Sequence, residues 1–224
     1  MRRVTVAATF LITITAASAF AQGIGQPQRA YVSAGGGIVA TGDGTSGHAI
    51  GEAGFRISPN LFLFGDVGRF QNLASSTFQS AADSVAADFA AAGLNVTATS
   101  TVPTWYSLGG VRYVFSSRTA RVSPYVFGGA GFAHLMPQNK FVYSSGTLLG
   151  ASPNPGDDVT SQLVSLGEFS QPATSNAFMF STGGGVEIPI ARSLGVDVGY
   201  RLSRIAADTP VTAHTVTAGL GYRF

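Results

Sequence analysis

Apolar and polar side chains alternate along residues 211–224 of the chain. Alternation with a period of two is typical of a β-strand whose two faces meet different environments. The apolar face comprises Val216, Ala218, Leu220, Tyr222 and Phe224. The other face comprises Thr215, Thr217, Gly219, Gly221 and Arg223. Small and polar residues opposite an apolar stripe are expected for a strand in the wall of a narrow membrane barrel, with the polar face turned inward.

Seven further segments alternate in the same way or are continuously apolar, and turn residues separate them. These predicted strands are residues 30–41, 47–57, 61–73, 102–115, 124–136, 177–189 and 194–203. Each is long enough for a tilted strand that crosses a bilayer, which needs roughly 9–11 residues. We therefore predict an all-β fold, an eight-stranded antiparallel up-and-down transmembrane β-barrel over residues 30–224. The strand at 124–136 is apolar on both faces, so the pattern does not orient it.

Most charged residues within the predicted strands lie opposite the apolar stripe. The interior of an eight-stranded barrel is only just wide enough for side chains, and a buried charge is costly unless it is paired. Turning these residues toward lipid would cost ~2–4 kcal/mol for each basic side chain at mid-bilayer. The sequence therefore predicts a charge-balanced ionic network inside the barrel, formed by Glu52, Arg56, Asp66, Arg112, Glu187, Asp197, Arg201 and Arg223.

Some charged or aromatic residues fall near predicted strand ends. Arg56 and Arg223 are close to such ends. Their side chains could therefore be solvated by water instead of forming ion pairs inside the barrel. Phe64 and Arg69 interrupt the alternation of residues 61–73, because Phe64 falls on the face of Asp66 and Arg69 on the apolar face. We expect Arg69 and Phe70 at the outer interface, where aromatic side chains are common and a long basic side chain reaches water or headgroups.

The first 21 residues carry the features of a secretory signal peptide. A basic start at residues 1–3 precedes an apolar stretch at 4–17, and residues 18–21 end on a small-x-small pattern. We predict cleavage after Ala21, which leaves residues 22–29 as a periplasmic lead.

The net charge of the mature chain is zero. Loss of Arg2 and Arg3 lowers the number of basic residues from 13 to 11, equal to the 11 acidic residues. A neutral mature chain argues against a nucleic-acid partner, and the absence of cysteine excludes disulfides and thiolate chemistry.

Two long connections interrupt the strands, at residues 74–100 and 137–173. The first shows no strand alternation, but its Phe78, Ala82, Val85 and Phe89 recur at spacings of four, three and four. This spacing is typical of a short amphipathic helix, either over the barrel mouth or on the membrane surface. The second is predicted to be irregular, and loops of that length are usually functional or disordered.

The end of the chain and two short hairpins resemble one family. Thr217, Gly219, Tyr222 and Phe224 match the C-terminal assembly signal of bacterial outer-membrane barrels. The hairpins GFRISPNLFLFGDVG and GGGVEIPIARSLGVDVGYRL are similar to those of the outer-membrane β-barrel domain family, which includes the OmpA-like and OmpX-like eight-stranded barrels. The resemblance implies a monomer in the cell outer membrane, in contact with its lipid. It also implies long loops outside the cell, and assembly by periplasmic chaperones and the barrel-assembly machinery.

The chain carries no recognisable catalytic or cofactor motif. Residues 35–40 fit the glycine spacing of a dinucleotide fingerprint, but a turn at 42–45 follows where that motif needs a helix. His48, His134 and His214 lie in different predicted strands, and none has a metal-binding spacing. None precedes a serine by two residues, as resemblance to lipid A deacylase barrels would require, and a G-x-S-x-G elbow is absent. We therefore expect no enzyme activity, no cofactor and no metal.

Two functions from different classes remain. The first is a structural or surface-interaction barrel, whose two long loops bind an unidentified extracellular ligand or partner. The second is a small passive, porin-like channel. A secreted soluble β-sandwich is the competing fold, since short strands with one apolar face also suit it. A β-sandwich would not require the C-terminal motif with Tyr222 and Phe224, so the sequence favours the barrel.

Overall fold

The computed structural model describes residues 29–73, 76–115 and 122–224. The predicted signal peptide at 1–21 and residues 22–28 of the predicted lead lie outside this range. Among the described residues the elements are β1 Ala30–Thr41, β2 Gly44–Ser58, β3 Leu61–Phe70, α1 Ser76–Ala91, β4 Leu94–Thr101, β5 Thr104–Val114, β6 Ser123–Leu135, β7 Gln138–Gly146, α2 Thr160–Ser165, β8 Ser175–Pro189, β9 Leu194–Ala206 and β10 Val211–Arg223. Neither helix is long and apolar enough to cross a membrane.

Eight of these strands form a closed antiparallel barrel, which confirms the predicted fold. Their order around the barrel is β1, β2, β3, β5, β6, β8, β9 and β10, and β10 pairs with β1 to close it. Each barrel strand therefore pairs with the barrel strands before and after it in the chain. We call the end that carries residues 59–60 and 190–193 the turn end, and the opposite end the cap end.

The closing pair of strands is packed closely. Gly35 of β1 faces Gly219 of β10. A Cβ atom on Gly35 would lie 2.7 Å from the carbonyl oxygen of Ala218, and a Cβ on Gly219 would lie 2.5 Å from that of Ala34. Glycine is required here because any side chain would collide with the backbone of the facing strand. At the turn end, the Phe224 carbonyl accepts hydrogen bonds from the amides of residues 29 and 30.

The alternation along the strands separates an apolar outer surface from the interior. In β3, Leu63 and Val67 are exposed, whereas Phe64 and Asp66 are buried. The sequence did not orient β6, and the structure decides that its odd-numbered residues point inward. The buried residues of β6 include Tyr125, Phe127, Ala133 and Leu135, while its exposed ones include Val126 and Phe132. Exposed apolar side chains on the outer face are those expected to contact hydrocarbon.

The two long connections fold together at the cap end. Strands β4 and β7 form a separate two-stranded antiparallel sheet, against which α1 and α2 pack. Eight residues form its buried core: Ala82, Phe89, Leu94, Ala98, Phe141, Leu148, Val159 and Leu163. We call residues 76–101 and 138–169 the cap. Its existence corrects two predictions, namely the absence of a strand in 74–100 and an irregular structure throughout 137–173.

Helix α1 confirms the helix predicted in the first long connection. Ala82 and Phe89 face the core of the cap, and Phe78 packs against the core of the barrel. The helix therefore lies over the barrel mouth, one of the two positions that the sequence left open. The strand that follows it was missed because β4 (LNVTATST) has few large apolar residues. Its partner β7 is about forty residues further along the chain, beyond the reach of a local pattern.

Candidate functional site

Five charged side chains meet in the middle of the barrel interior. The Nη2 atom of Arg201 lies 2.5 Å from Oδ2 of Asp66 and 3.9 Å from Oε2 of Glu52. The Nη2 atom of Arg112 lies 3.1 Å from Oε1 of Glu52 and 4.0 Å from Oδ2 of Asp197. We call these five residues the central cluster. Asp197 is the most accessible member, with 19% of its side chain exposed, whereas no other member exceeds 8%.

The register explains why the central cluster must reach across the barrel. Glu52 of β2 stands directly opposite Asp66 of β3, and like charges facing each other on adjacent strands are destabilising. Their partner Arg201 is on β9, which is four strands from β3 in a ring of eight. The contact between Arg201 and Asp66 therefore joins opposite walls of the barrel.

Aromatic side chains surround the two arginines of the central cluster. The guanidinium carbon of Arg112 lies 3.9 Å from the ring centroid of Tyr125 and 5.1 Å from that of Tyr31. The hydroxyl of Tyr31 donates to Glu52 at 2.5 Å, and the hydroxyl of Tyr125 donates to Asp197 at 2.7 Å. Cation–π contacts and hydrogen bonds to carboxylates compensate for the loss of water around buried charges. Sequence reasoning missed both tyrosines. The signal that could have found Tyr31 is that it shares the face of Ser33, Gly35 and Gly37, the small and polar face of β1.

The other three predicted interior charges lie outside the central cluster. Arg223 of β10 forms an ion pair with Glu187 of β8, so Arg223 is paired even though it lies near the turn end. Arg56 stacks over the ring of Phe62 at 5.1 Å. It has no ion-pair partner among the residues that the structure describes. The eight predicted residues are thus divided into a central group of five, one separate pair and one stacked arginine.

The space left beside the central cluster is small. A cavity of about 40 Å³ is bounded by charged, small and aromatic residues of several strands. Ligand pockets for small molecules usually measure roughly 300–1,000 Å³. This part of the interior is therefore a packed polar core, and it has no room for an organic ligand.

Toward the cap end the interior becomes aromatic and then apolar. His48 stacks on Phe70 with ring centroids 4.8 Å apart, and its Nε2 atom lies 2.8 Å from the hydroxyl of Tyr106. Phe70 is fully buried, so the expectation that it lies at the outer interface is wrong. Arg69 does face outward, over the ring of Trp105 at 5.4 Å. Between this stack and the cap lies an apolar layer of buried residues: Val39, Leu73, Val102, Leu135, Met179, Ile205 and Val211.

The residues of the terminal motif lie on both faces of β10. Tyr222 and Phe224 point outward and are about half exposed, at 51% and 48%. Thr217 and Gly219 are half-buried and border the cavity beside the central cluster. The motif therefore places two aromatic side chains on the lipid-facing surface, beside the seam between β10 and β1.

The three histidines do not come together. His48 is buried inside the barrel, whereas Nδ1 of His134 lies 2.8 Å from Oδ1 of Asn176, and Nδ1 of His214 lies 2.7 Å from the hydroxyl of Tyr200. His134 and His214 make these contacts at exposed positions on other strands. Within the described ranges, no group of three or more histidine, cysteine, aspartate or glutamate residues could hold a metal ion.

The cap carries mainly acidic charges. Its described residues include Asp83, Asp88, Asp157, Asp158 and Glu168, with Lys140 as the basic residue. Lys140 Nζ lies 3.7 Å from Oδ2 of Asp158, at the surface. Hydrogen bonds from the hydroxyl and amide of Thr160 lower the pKa of the Asp158 carboxyl, so this charge persists in mildly acidic water. The cap thus offers an acidic surface to any partner.

Solved structures of known proteins share this architecture. A major outer membrane protein from Thermus thermophilus matches with a TM-score of 0.52 and 12% identity, over 87% of this chain and 99% of that one. Neisserial surface protein A matches with a TM-score of 0.50 and 18% identity, over 87% and 97%. Ail, the attachment invasion locus protein of Yersinia pestis, matches with a TM-score of 0.50 and 14% identity, over 89% and 100%. At these identities the likeness shows the fold alone.

The sequence itself matches a family model. None of the curated proteins matches this chain. The model described as "Outer membrane protein beta-barrel domain" matches residues 6–224, which includes every described strand. Together with the closed eight-stranded barrel, this match shows that the chain belongs to the outer membrane protein beta-barrel domain family.

Proposed function

We propose that this protein is a closed outer-membrane barrel without enzyme activity, which anchors the folded cap at the cell surface for interaction with a partner. The observation that carries the proposal is the contact between Arg201 and Asp66, which joins opposite walls of the barrel at 2.5 Å. An ion pair in that position occupies the path that a permeating ion would take. The apolar layer near the cap end adds a second barrier, because an ion there would be surrounded mainly by apolar side chains.

The placement in the cell follows the usual arrangement of such barrels, which have short periplasmic turns and longer extracellular loops. The turn end then faces the periplasm and the cap faces outward. Export depends on a signal peptide at residues 1–21, cleaved after Ala21. Periplasmic chaperones deliver the chain, and the barrel-assembly machinery recognises Tyr222 and Phe224 at the seam.

Conductance distinguishes this proposal from the passive channel. We expect the purified mature protein, inserted in a planar bilayer, to give no steady single-channel current. The double variant Asp66→Asn/Arg201→Met, which removes the ion pair across the barrel, serves as a comparison. A stable, ohmic and large conductance of the unmodified protein would contradict the closed barrel and favour the channel.

A further inference from the structure

The outer wall of the barrel carries basic side chains at one end and no acidic ones, as far as the structure describes it. The aspartates and glutamates of the barrel strands all lie on the inner face, in the central cluster or in the separate ion pair. The arginines and histidines on the outer face lie within four residues of the cap end of their strands, and they are Arg69, His134, Arg204 and His214. Basic groups that face lipid are therefore confined to the membrane interface on the cap side.

Two of these basic residues belong to a row of outward side chains that crosses four adjacent strands. Arg69 of β3 stands opposite Trp105 of β5. Trp105 in turn stands opposite His134 of β6, which stands opposite Asn176 of β8. Neighbouring strands are about 4.8 Å apart, so the row is about 14 Å long. We call these four residues the outer row. Direct cross-strand neighbours are close enough for their side chains to interact, so the outer row is one continuous surface.

Contacts within the outer row hold two nitrogen-bearing side chains on either side of an exposed aromatic ring. The guanidinium carbon of Arg69 lies 5.4 Å from the ring centroid of Trp105, which stands on the strand between Arg69 and His134. Nδ1 of His134 lies 2.8 Å from Oδ1 of Asn176, and this contact leaves Nε2 of the imidazole for a second partner. The Trp105 side chain between them is about half exposed. A ligand that covers this ring can therefore contact both Arg69 and His134.

The charge of Arg69 has no anionic partner in the described part of the chain, where no carboxylate forms an ion pair with it. A guanidinium makes its strongest hydrogen bonds with carboxylate and phosphate groups. A second copy of this chain beside the barrel would not supply one, because the outer face of its described strands has no acidic residue either. At the edge of the hydrocarbon, the anion within reach is the headgroup of a lipid.

Toward the turn end, the wall next to the outer row is apolar. The next outward residues of β3, β6 and β8 are Val67, Phe132 and Phe178, which are between 39% and 63% exposed. The ring centroids of Phe132 and Phe178 lie 5.5 Å apart. Such a surface accepts an acyl chain, which a free phosphate ion does not have. We propose that the outer row binds a lipid with a phosphate group in its headgroup, on the cap side of the membrane, with Arg69 and His134 contacting the phosphate.

The fluorescence of Trp105 tests the proposal directly, because Trp105 is the single tryptophan of the chain. The mature protein is folded in an uncharged detergent and titrated with dioleoyl phosphatidic acid or with dioleoylglycerol, which has the same acyl chains without the phosphate. We expect the first lipid to bind at least about tenfold more tightly, because only its phosphate accepts charge-assisted hydrogen bonds. Inorganic phosphate alone should leave the emission unchanged.

Substitutions in the outer row identify it as the site. Arg69→Gln should weaken the binding of phosphatidic acid about tenfold or more and leave the binding of dioleoylglycerol unchanged. His134→Gln should act in the same direction. Arg204→Gln is the matched control, because it removes an outward arginine of β9, three strands away from Trp105, and it should bind phosphatidic acid as the unmodified protein does. Heat-modifiable migration in gels verifies that each variant is folded.

Four results would overturn the proposal: no response of Trp105 to phosphatidic acid, equal affinities for the two lipids, equal losses in Arg69→Gln and Arg204→Gln, or a response to inorganic phosphate as strong as that to the lipid. The last result would assign the outer row to a soluble anion. The proposal does not depend on a partner of the cap or on a closed barrel. A conducting barrel that still binds phosphatidic acid at the outer row would contradict the proposed function and support the lipid site.

Discussion

At the scale of single residues, the ion pair between Arg201 and Asp66 is the contact most sensitive to change. Arg201→Met leaves the buried carboxylate of Asp66 without its closest partner, since Glu52 is also acidic. Removing one partner of a buried pair typically costs about 3–5 kcal/mol. We expect a loss of that size in the free energy of unfolding, measured by urea titration in lipid vesicles.

The double variant Asp66→Asn/Arg201→Met should recover part of this loss, because no unpaired charge remains. Lys140→Met is the matched control, since Lys140 pairs with Asp158 at the surface of the cap, where 58% and 50% of the two side chains are exposed. An exposed pair contributes at most about 1 kcal/mol. Equal losses in Arg201→Met and Lys140→Met would contradict a structural role for the central cluster.

A second residue-scale prediction concerns the glycines at the seam. A Cβ atom on Gly37 would overlap the carbonyl oxygen of Val216 on β10, whereas a Cβ on Gly51 would meet no atom within 4 Å. Gly37→Ala should therefore lower the unfolding free energy by about 1–3 kcal/mol, the usual cost of overpacking. Gly51→Ala, in the neighbouring strand β2, should have little effect. If the Gly37→Ala barrel is as stable as the Gly51→Ala control, then β1 and β10 can move apart enough to accept the added methyl group, and the prediction is wrong.

At the scale of elements, the cap has a hydrophobic core of its own. We therefore expect that the cap can unfold while the barrel remains folded. Phe141 is fully buried there, with its ring centroid 5.6 Å from that of Phe89 and 4.9 Å from that of Phe169. Phe141→Ala should cost about 3–5 kcal/mol, which is enough to open a unit of this size. We expect limited proteolysis to cleave the cap of this variant while the barrel retains its heat-modifiable migration in gels.

Replacement of residues 137–173 by a short Gly-Ser linker extends the same test. It removes β7 and α2, so β4 loses its partner, but loop length affects the closure entropy of the barrel only weakly. The barrel should therefore still form, and binding of any extracellular partner that depends on the cap should be lost. A failure of the barrel to fold would show that the cap is needed for its formation.

At the scale of the whole molecule, closure depends on the contact between β10 and β1. The Phe224 carbonyl accepts two amide hydrogen bonds there, and its ring is exposed on the lipid-facing surface. We expect deletion of Phe224 to leave unfolded protein in the periplasm, detected by cell fractionation and by loss of heat-modifiable migration. Phe224→Tyr keeps an aromatic ring at the same position and is the control. Normal outer-membrane levels of the deletion variant would contradict a role of this residue in assembly.

The sequence by itself determined which way most side chains point. Successive residues of a strand face opposite sides, so a period of two assigned the outer and inner faces without knowledge of the neighbouring strands. Glu52, Asp66, Arg112 and Arg201 were placed inside by that rule, and all four are buried. Strands with one apolar face also suit a β-sandwich, so it was the terminal motif with Tyr222 and Phe224 that favoured the barrel.

Only the tertiary structure decided which inner side chains meet. Pairing depends on the register between strands and on closure of the ring, both of which join residues far apart in the chain. The register places Arg201 against Asp66, which is 135 positions away in the chain. It also pairs Glu187 with Arg223 and stacks Arg56 on the ring of Phe62. The same long-range pairing joined β4 to β7 and oriented β6. A local pattern contains no information on these contacts, because each requires a partner strand to be fixed first.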